Sequence, residues 1–147
     1  MATIKRTSSA VWNGTGLEGT GSLNSSSGVL NDTPYSFKAR FQNEDGKAGT
    51  NPEELIAAAH AGCFAMALSF QLVGAGFTAT SLKTTATIDM DAVEGGFKFS
   101  AIRLTLEGVV PNMTEAQFIE LANVAKAGCP VSQALSTVPI TLEAKLA

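Results

Sequence analysis

The sequence predicts an α+β fold with a mostly antiparallel sheet and one long, buried central helix. Three observations carry that expectation. The periodic segments come in the order strands, long helix, two strands, helix, strand. Residues 55–73 hold 15 apolar side chains in 19, with helix signals at both ends. The composition is ordinary for a globular chain, 45% apolar and 16% charged over 147 residues. That length fits a single domain, 1–147. A chain of this size buries roughly 68–70% of its unfolded surface and needs no disulfide framework.

The elements follow in order. Residues 5–12 form a candidate strand. The Gly/Ser/Thr-rich stretch 13–28 is expected to turn the chain. After Pro34, residues 35–41 alternate Tyr, Phe, Ala, Phe against Ser, Lys, Arg. They read as a half-buried strand with Arg40 on its polar face. Residues 43–49 read as a polar surface loop. Asn51 can cap a helix, Pro52 suits its first position, and Glu54 sits where a capping box wants it. That helix runs to about Val73 and stops at Gly74 or Gly76, about 34 Å at 1.5 Å per residue. It is apolar nearly all round, which calls for burial on every side. Residues 81–91 alternate cleanly as a strand, and Gly95-Gly96 turns the chain. The next strand, 97–110, switches phase after Phe97, Phe99 and Ala101, which predicts a β-bulge near Ala101. A second helix spans 114–127, opened by a Thr114–Gln117 capping box and closed by Gly128. Pro130 opens a short helical turn to about Leu135, and Ile140, Leu142, Ala144 and Leu146 alternate as a last strand. One sheet and one other helix cannot cover an all-apolar helix in so short a chain. A homodimer is the commonest solution.

Composition also excludes. Ten basic and thirteen acidic side chains give a formal charge of −3, with no Lys/Arg run, against a nucleic-acid partner or an anionic membrane surface. The 55–73 stretch lacks the positive flanks and aromatic anchors of a membrane span, and His60, Ser69 and Gln71 interrupt it. Two cysteines are too few for a secreted disulfide scaffold, and the opening residues hold no apolar export signal. The expectation is a cytoplasmic protein with reduced thiols.

Gly14-Thr-Gly16-Leu-Glu-Gly19 matches a dinucleotide-binding pattern, but no helix can follow it, so Gly-rich turns between short strands account for it. His60, Cys63 and Cys129 fall short of a four-ligand zinc set, so neither a metal nor a bound cofactor is expected. His60 reads as a satisfied helix histidine. Cys63, mid-helix among Ala and Phe, reads first as a small buried hydrophobe. Cys129 lies between a helix end and a Pro-initiated turn, where backbone N–H groups stabilise a thiolate. Two cysteines so placed are what a peroxide-reducing dithiol needs, one to become a sulfenic acid and one to condense with it. By position alone Arg40 is a surface arginine and Glu53 a helix-dipole carboxylate.

The run from Thr50-Asn-Pro-Glu-Glu through His60-Ala-Gly-Cys63-Phe-Ala-Met, with Ala127-Gly-Cys129-Pro-Val-Ser132, resembles the osmotically inducible protein C (OsmC) family, relatives of the organic hydroperoxide resistance (Ohr) proteins. Gly28-Val-Leu, Pro34-Tyr-Ser-Phe and the final Ile140-Thr-Leu-Glu extend the likeness over nearly the whole chain. The cysteine motifs have the form of the OsmC branch. The resemblance implies a thiol peroxidase that reduces organic hydroperoxides, and hydrogen peroxide less well, in an intertwined homodimer with two long helices at its centre. It implies Cys63 as the peroxidatic thiol and Cys129 as the resolving one. Arg40 matches the family arginine that steadies the thiolate, and Glu53 the acid that holds that arginine. A small dithiol, such as protein-bound lipoyl, is the implied reductant. The loop 42–48 is a few residues longer than the family pattern.

Glu53 and Cys63 are ten residues apart, about 15 Å of rise on an unbroken helix. They share a site only if the helix kinks or if Arg40 and Glu53 come from the partner subunit, and the second is expected. Phe64, Met66 and Phe77 are the apolar residues expected near the thiol. The rival reading is a non-enzymatic dimeric module that holds an apolar ligand in the dimer cleft, with Cys63 passive.

Overall fold

A computed structural model describes residues 2–42 and 49–147. The loop expected over 43–49 therefore lies, apart from Gly49, outside the described residues, as does the long 42–48 segment beyond Gln42. The chain divides into two compact units, Met1–Leu55 and Ile56–Ala147.

The first unit holds an antiparallel sheet in the order β1 (Ser8–Asn13), β2 (Thr20–Ser25), β3 (Thr33–Tyr35). The Gly14–Gly19 pattern is the turn between β1 and β2, closed by the Gly19 N–H on the Thr15 carbonyl at 2.8 Å. The stretch 13–28, expected to turn throughout, thus contains a strand. Its small side chains gave no alternating signal, and pairing with β1 supplies what propensity lacks. The strand expected over 35–41 is a second correction. Only Tyr35 ends a strand, and Phe37–Phe41 is a one-turn helix, α1. Ser36 caps it, its Oγ accepting the Ala39 N–H at 3.1 Å. Phe37 and Phe41 fit a period of two, but they are also four apart, and their rings meet at 4.9 Å on one helix face.

The long helix, α2, runs unbroken over Pro52–Gly74. Asn51 Oδ1 accepts the Glu54 N–H at 2.8 Å, as the capping reading requires, while the Glu54 carboxylate accepts from the Thr50 hydroxyl at 2.8 Å. At the far end Gly76 adopts φ +89°. The Phe77 N–H reaches the Leu72 carbonyl at 2.9 Å and the Gly76 N–H reaches that of Val73 at 3.0 Å, a Schellman stop that needs the left-handed glycine.

In the second unit β4 (Ser81–Val93) pairs antiparallel with β5 (Gly96–Val109), and β5 pairs with β6 (Ile140–Leu146) in parallel. A parallel return needs a crossover, and α3 (Glu115–Gly128) with α4 (Pro130–Ala134) provides it. The bulge falls one residue before Ala101. Asp89 faces Ala101 and Met90 faces Phe99, which leaves Ser100 extra. Thr114 and Gln117 form the expected capping box on α3. Leu104 and Leu106 of β5 point into one core with Phe118, Ala122 and Ala125 of α3 and with Phe64, Leu68 and Leu72 of α2. Gly108 is the closest approach in that core, since a Cβ there would collide with the Phe118 ring.

Burial of α2 on every side does not occur within the chain. The buried residues are His60, Phe64, Leu68 and Leu72, one stripe at fourfold spacing. Met66, Phe70 and Val73 on other faces remain 65%, 72% and 64% exposed, so the described residues cover only part of the helix. By length and composition alone α2 would also pass as a membrane span. Its buried stripe is instead part of the protein core.

Candidate active site

Cys63 lies in the middle of α2, one residue before the buried Phe64. Cys129 stands where two helices meet. Its N–H closes α3 on the Ala125 carbonyl at 2.9 Å, and its own carbonyl accepts the Gln133 N–H of α4 at 3.0 Å. Both cysteines are free thiols, and their sulfurs are 2.8 Å apart, within hydrogen-bond reach. Cys129 is fully buried, whereas Cys63 is partly exposed.

The two sulfurs share a proton unequally. Burial pushes the Cys63 thiol up, and the hydrogen bond to Cys129 pushes it further, against one lowering contact with the Val131 N–H. Burial acts the same way on Cys129, but more donors oppose it there. Cys63, the Ser132 N–H, the Ser132 hydroxyl and the Val131 N–H together hold Cys129 below the ordinary thiol range. The surroundings therefore favour a thiolate at Cys129 over one at Cys63. The N–H groups of Val131 and Ser132 are free to do this because they open α4 and have no carbonyl of their own helix to meet.

His60 sits one turn before Cys63 on α2, with no exposure. Its Nε2 lies 2.7 Å from Ser132 Oγ, and its Nδ1 is buried without a partner among the described residues. Burial holds the imidazole below its usual pKa and so favours its neutral form. The satisfied histidine expected from sequence is satisfied at one nitrogen only.

A second polar pair belongs to the first unit. Arg40 Nε meets Glu53 Oε1 at 3.0 Å and Oε2 at 3.3 Å, and Nη2 meets Oε1 at 2.6 Å. This side-on fork fixes the plane of the guanidinium. Arg40 Cζ also lies 4.9 Å from the centroid of the Phe41 ring. Trp12, Tyr35, Phe37, Phe41 and Arg40 line a cavity of about 220 Å³.

The sequence-predicted residues thus form two pairs, Cys63 with Cys129 and Arg40 with Glu53. Of the apolar residues expected near the thiol, Phe64 and Phe77 pack in the same core cluster as Cys63 and Cys129, whereas Met66 is largely exposed. Ser132 and the aromatic cavity beside Arg40 were not singled out from sequence. A signal for Ser132 existed, because it stands three residues after a helix-capping Cys129, where N–H groups point at the cap.

The OsmC-like protein family profile matches residues 44–143. The chain is 49% identical to peroxiredoxin OsmC of Escherichia coli over 144 residues, 98% of each chain. It is 32% identical to the organic hydroperoxide resistance protein OhrB of Bacillus subtilis, covering 85% of this chain and 89% of the relative. The OhrB crystal structure superposes with a TM-score of 0.69 at 30% identity, over 95% of this chain and 98% of that one. An OsmC structure from Legionella pneumophila, 22% identical, shares the fold with a TM-score of 0.71 over 99% of each chain.

Proposed function

The chain belongs to the OsmC-like protein family, and we infer from this that it does the work its relatives are named for. It is a peroxidase of hydroperoxide defence. The single observation that supports a two-cysteine mechanism is the 2.8 Å approach of two free sulfurs that lie 66 residues apart in sequence.

In this reading Cys63 is the peroxidatic thiol, because it is the partly exposed one of the pair. Its thiolate attacks one oxygen of the hydroperoxide, the O–O bond breaks, and an alkoxide leaves to take a proton from solvent. The Cys63 sulfenic acid then condenses with the Cys129 thiol, releasing water and closing the disulfide. Within one chain the surroundings favour a thiolate at Cys129 rather than at Cys63, the wrong way round for the first step. A cation beside Cys63 corrects that by drawing the charge from Cys129 onto Cys63, and Arg40 is the candidate. The same guanidinium stabilises the departing alkoxide. Glu53 keeps it in one orientation.

Glu53 and Cys63 are ten residues apart on one uninterrupted helix, about 15 Å of rise. That spacing favours delivery of the Arg40–Glu53 pair by a second subunit. The exposed Met66, Phe70 and Val73 on α2 favour the same homodimer. The aromatic cavity beside Arg40 suits the carbon chain of an organic hydroperoxide better than hydrogen peroxide. The reading includes a single 1–147 domain, a cytoplasmic setting in which the thiols start reduced, and a dithiol such as lipoyl as reductant.

Two substitutions test it. Cys63→Ser removes all peroxide turnover. Cys129→Ser permits the first attack but leaves Cys63 as a sulfenic acid that over-oxidises, visible as added oxygen in the intact mass. Full turnover by Cys63→Ser would return the protein to the rival reading of a passive binding module.

A further inference from the structure

The buried pair His60–Ser132 has no part in the steps above, yet it ends on the Cys129 sulfur. Ser132 stands three residues after Cys129 in the first turn of α4, and its hydroxyl is among the groups that lower the Cys129 thiol. With the one hydroxyl proton turned to Cys129, the 2.7 Å contact with His60 is donated by His60 Nε2–H to Ser132 Oγ. That assignment leaves Nδ1 as a bare lone pair. It agrees with the absence of a partner there, because a buried orphan acceptor costs less than a buried orphan donor. The three groups form one polarised chain, His60 to Ser132 to Cys129, with His60 and Cys129 fully buried and Ser132 nearly so.

Exposure adds the second half. No external thiol can reach a fully buried sulfur, so a reductant meets the disulfide at Cys63. Cys129 is then the group that must leave. We propose that His60 and Ser132 are positioning residues that hold Cys129 as the departing thiolate when a dithiol reduces the Cys63–Cys129 disulfide, directing attack to the Cys63 sulfur. This rests on the peroxidase reading.

The step balances. One thiolate of the dithiol attacks Cys63 Sγ, the S–S bond breaks, and its electron pair leaves on Cys129 Sγ. The second thiol of the reductant then displaces Cys63, forming a cyclic disulfide and passing its proton to Cys63. Two electrons have moved from the dithiol to the cysteines. The products are a Cys129 thiolate and a Cys63 thiol, the distribution that the surroundings of the two sulfurs favour. Exchange is faster when the leaving thiol is the more acidic one, which gives the hydrogen-bond chain a kinetic role.

The test closes the disulfide in the full chain by two routes, with cumene hydroperoxide and with diamide, and follows its reduction by dithiothreitol in stopped flow. Ser132→Ala and His60→Leu slow reduction about tenfold or more relative to their rate of sulfenate formation. His60→Gln, whose amide N–H overlays Nε2–H, stays within about threefold of the unsubstituted protein. Two further readouts need no variant. Glutathione trapped in acid during reduction maps to Cys63. The ¹⁵N spectrum of His60, the only histidine of the chain, places its proton on Nε2. Glutathione on Cys129, a proton on Nδ1, unchanged reduction in Ser132→Ala and His60→Leu, or equal loss in all three variants would each overturn the proposal. If the hydroperoxide fails to close the pair while diamide succeeds, the peroxidase reading falls. The diamide arm still decides for or against His60 and Ser132.

Discussion

The Cys63 and Cys129 sulfurs lie 2.8 Å apart, one on a long helix and the other at the junction of two short ones. Their surroundings differ more than their separation suggests. Cys129 collects two backbone N–H groups and a hydroxyl, while Cys63 has one backbone N–H and access to solvent. The two sulfurs are within reach of a disulfide, but their surroundings favour a thiolate on the buried partner. Chemistry at Cys63 calls for a group that favours the charge there instead.

The Arg40–Glu53 pair is the expected source. Arg40→Met lowers kcat/KM for an organic hydroperoxide about 10²-fold, in the range of losing one preorganised donor to a developing oxyanion. Glu53→Gln costs about tenfold, because it loosens the guanidinium without removing it. Arg40→Lys recovers little, since an ammonium cannot make the two-point contact that the Glu53 carboxylate now accepts. Steady-state peroxide consumption checks all three.

The uncovered face of α2 makes a separate prediction. Phe70 is 72% exposed in one chain and apolar. If the proposed homodimer forms through this face, Phe70→Asp runs as a monomer in light-scattering chromatography and loses activity together with assembly, as the proposed delivery of Arg40–Glu53 to a partner's thiol requires. A fully active monomer would remove the argument for sharing the site between subunits.

Stability should depend on pH through His60. Its folded pKa is depressed below the ordinary 6.5 by burial. Between those two values the unfolded chain binds more protons than the folded one, so stability rises with pH there. The contribution is complete above about pH 6.5 and is lost as pH falls through the folded value. Urea midpoints at pH 7.5 and 5.5 will drop more for the unsubstituted protein than for His60→Gln, which has nothing to protonate.

Much of this arrangement was legible in residues alone. Asn51-Pro52 and Gly76 bracketed α2, the Thr114–Gln117 box opened α3, and the phase switch beside Ala101 located the bulge. These signals are local, so the sequence states them directly. What was missed depends on partners distant in the chain. β2 is a run of small polar residues that becomes a strand only by lying against β1. Phe37 and Phe41 satisfied two periodicities at once, and the Ser36 cap decided for the helix. The cysteines were named for their motifs, but their contact crosses 66 residues and could not be read from spacing. His60 looked bland for the same reason, because its partner Ser132 is 72 residues away.

The most direct test of the account counts thiols. Reduced protein is treated with one equivalent of cumene hydroperoxide, with hydrogen peroxide in parallel, and free thiols and intact mass are followed in time. A two-cysteine peroxidase loses both thiols rapidly, falls in mass by two hydrogens, yields a Cys63–Cys129 link on peptide mapping, and closes faster with the organic peroxide. Two thiols that survive at the rate of an ordinary free cysteine would contradict it.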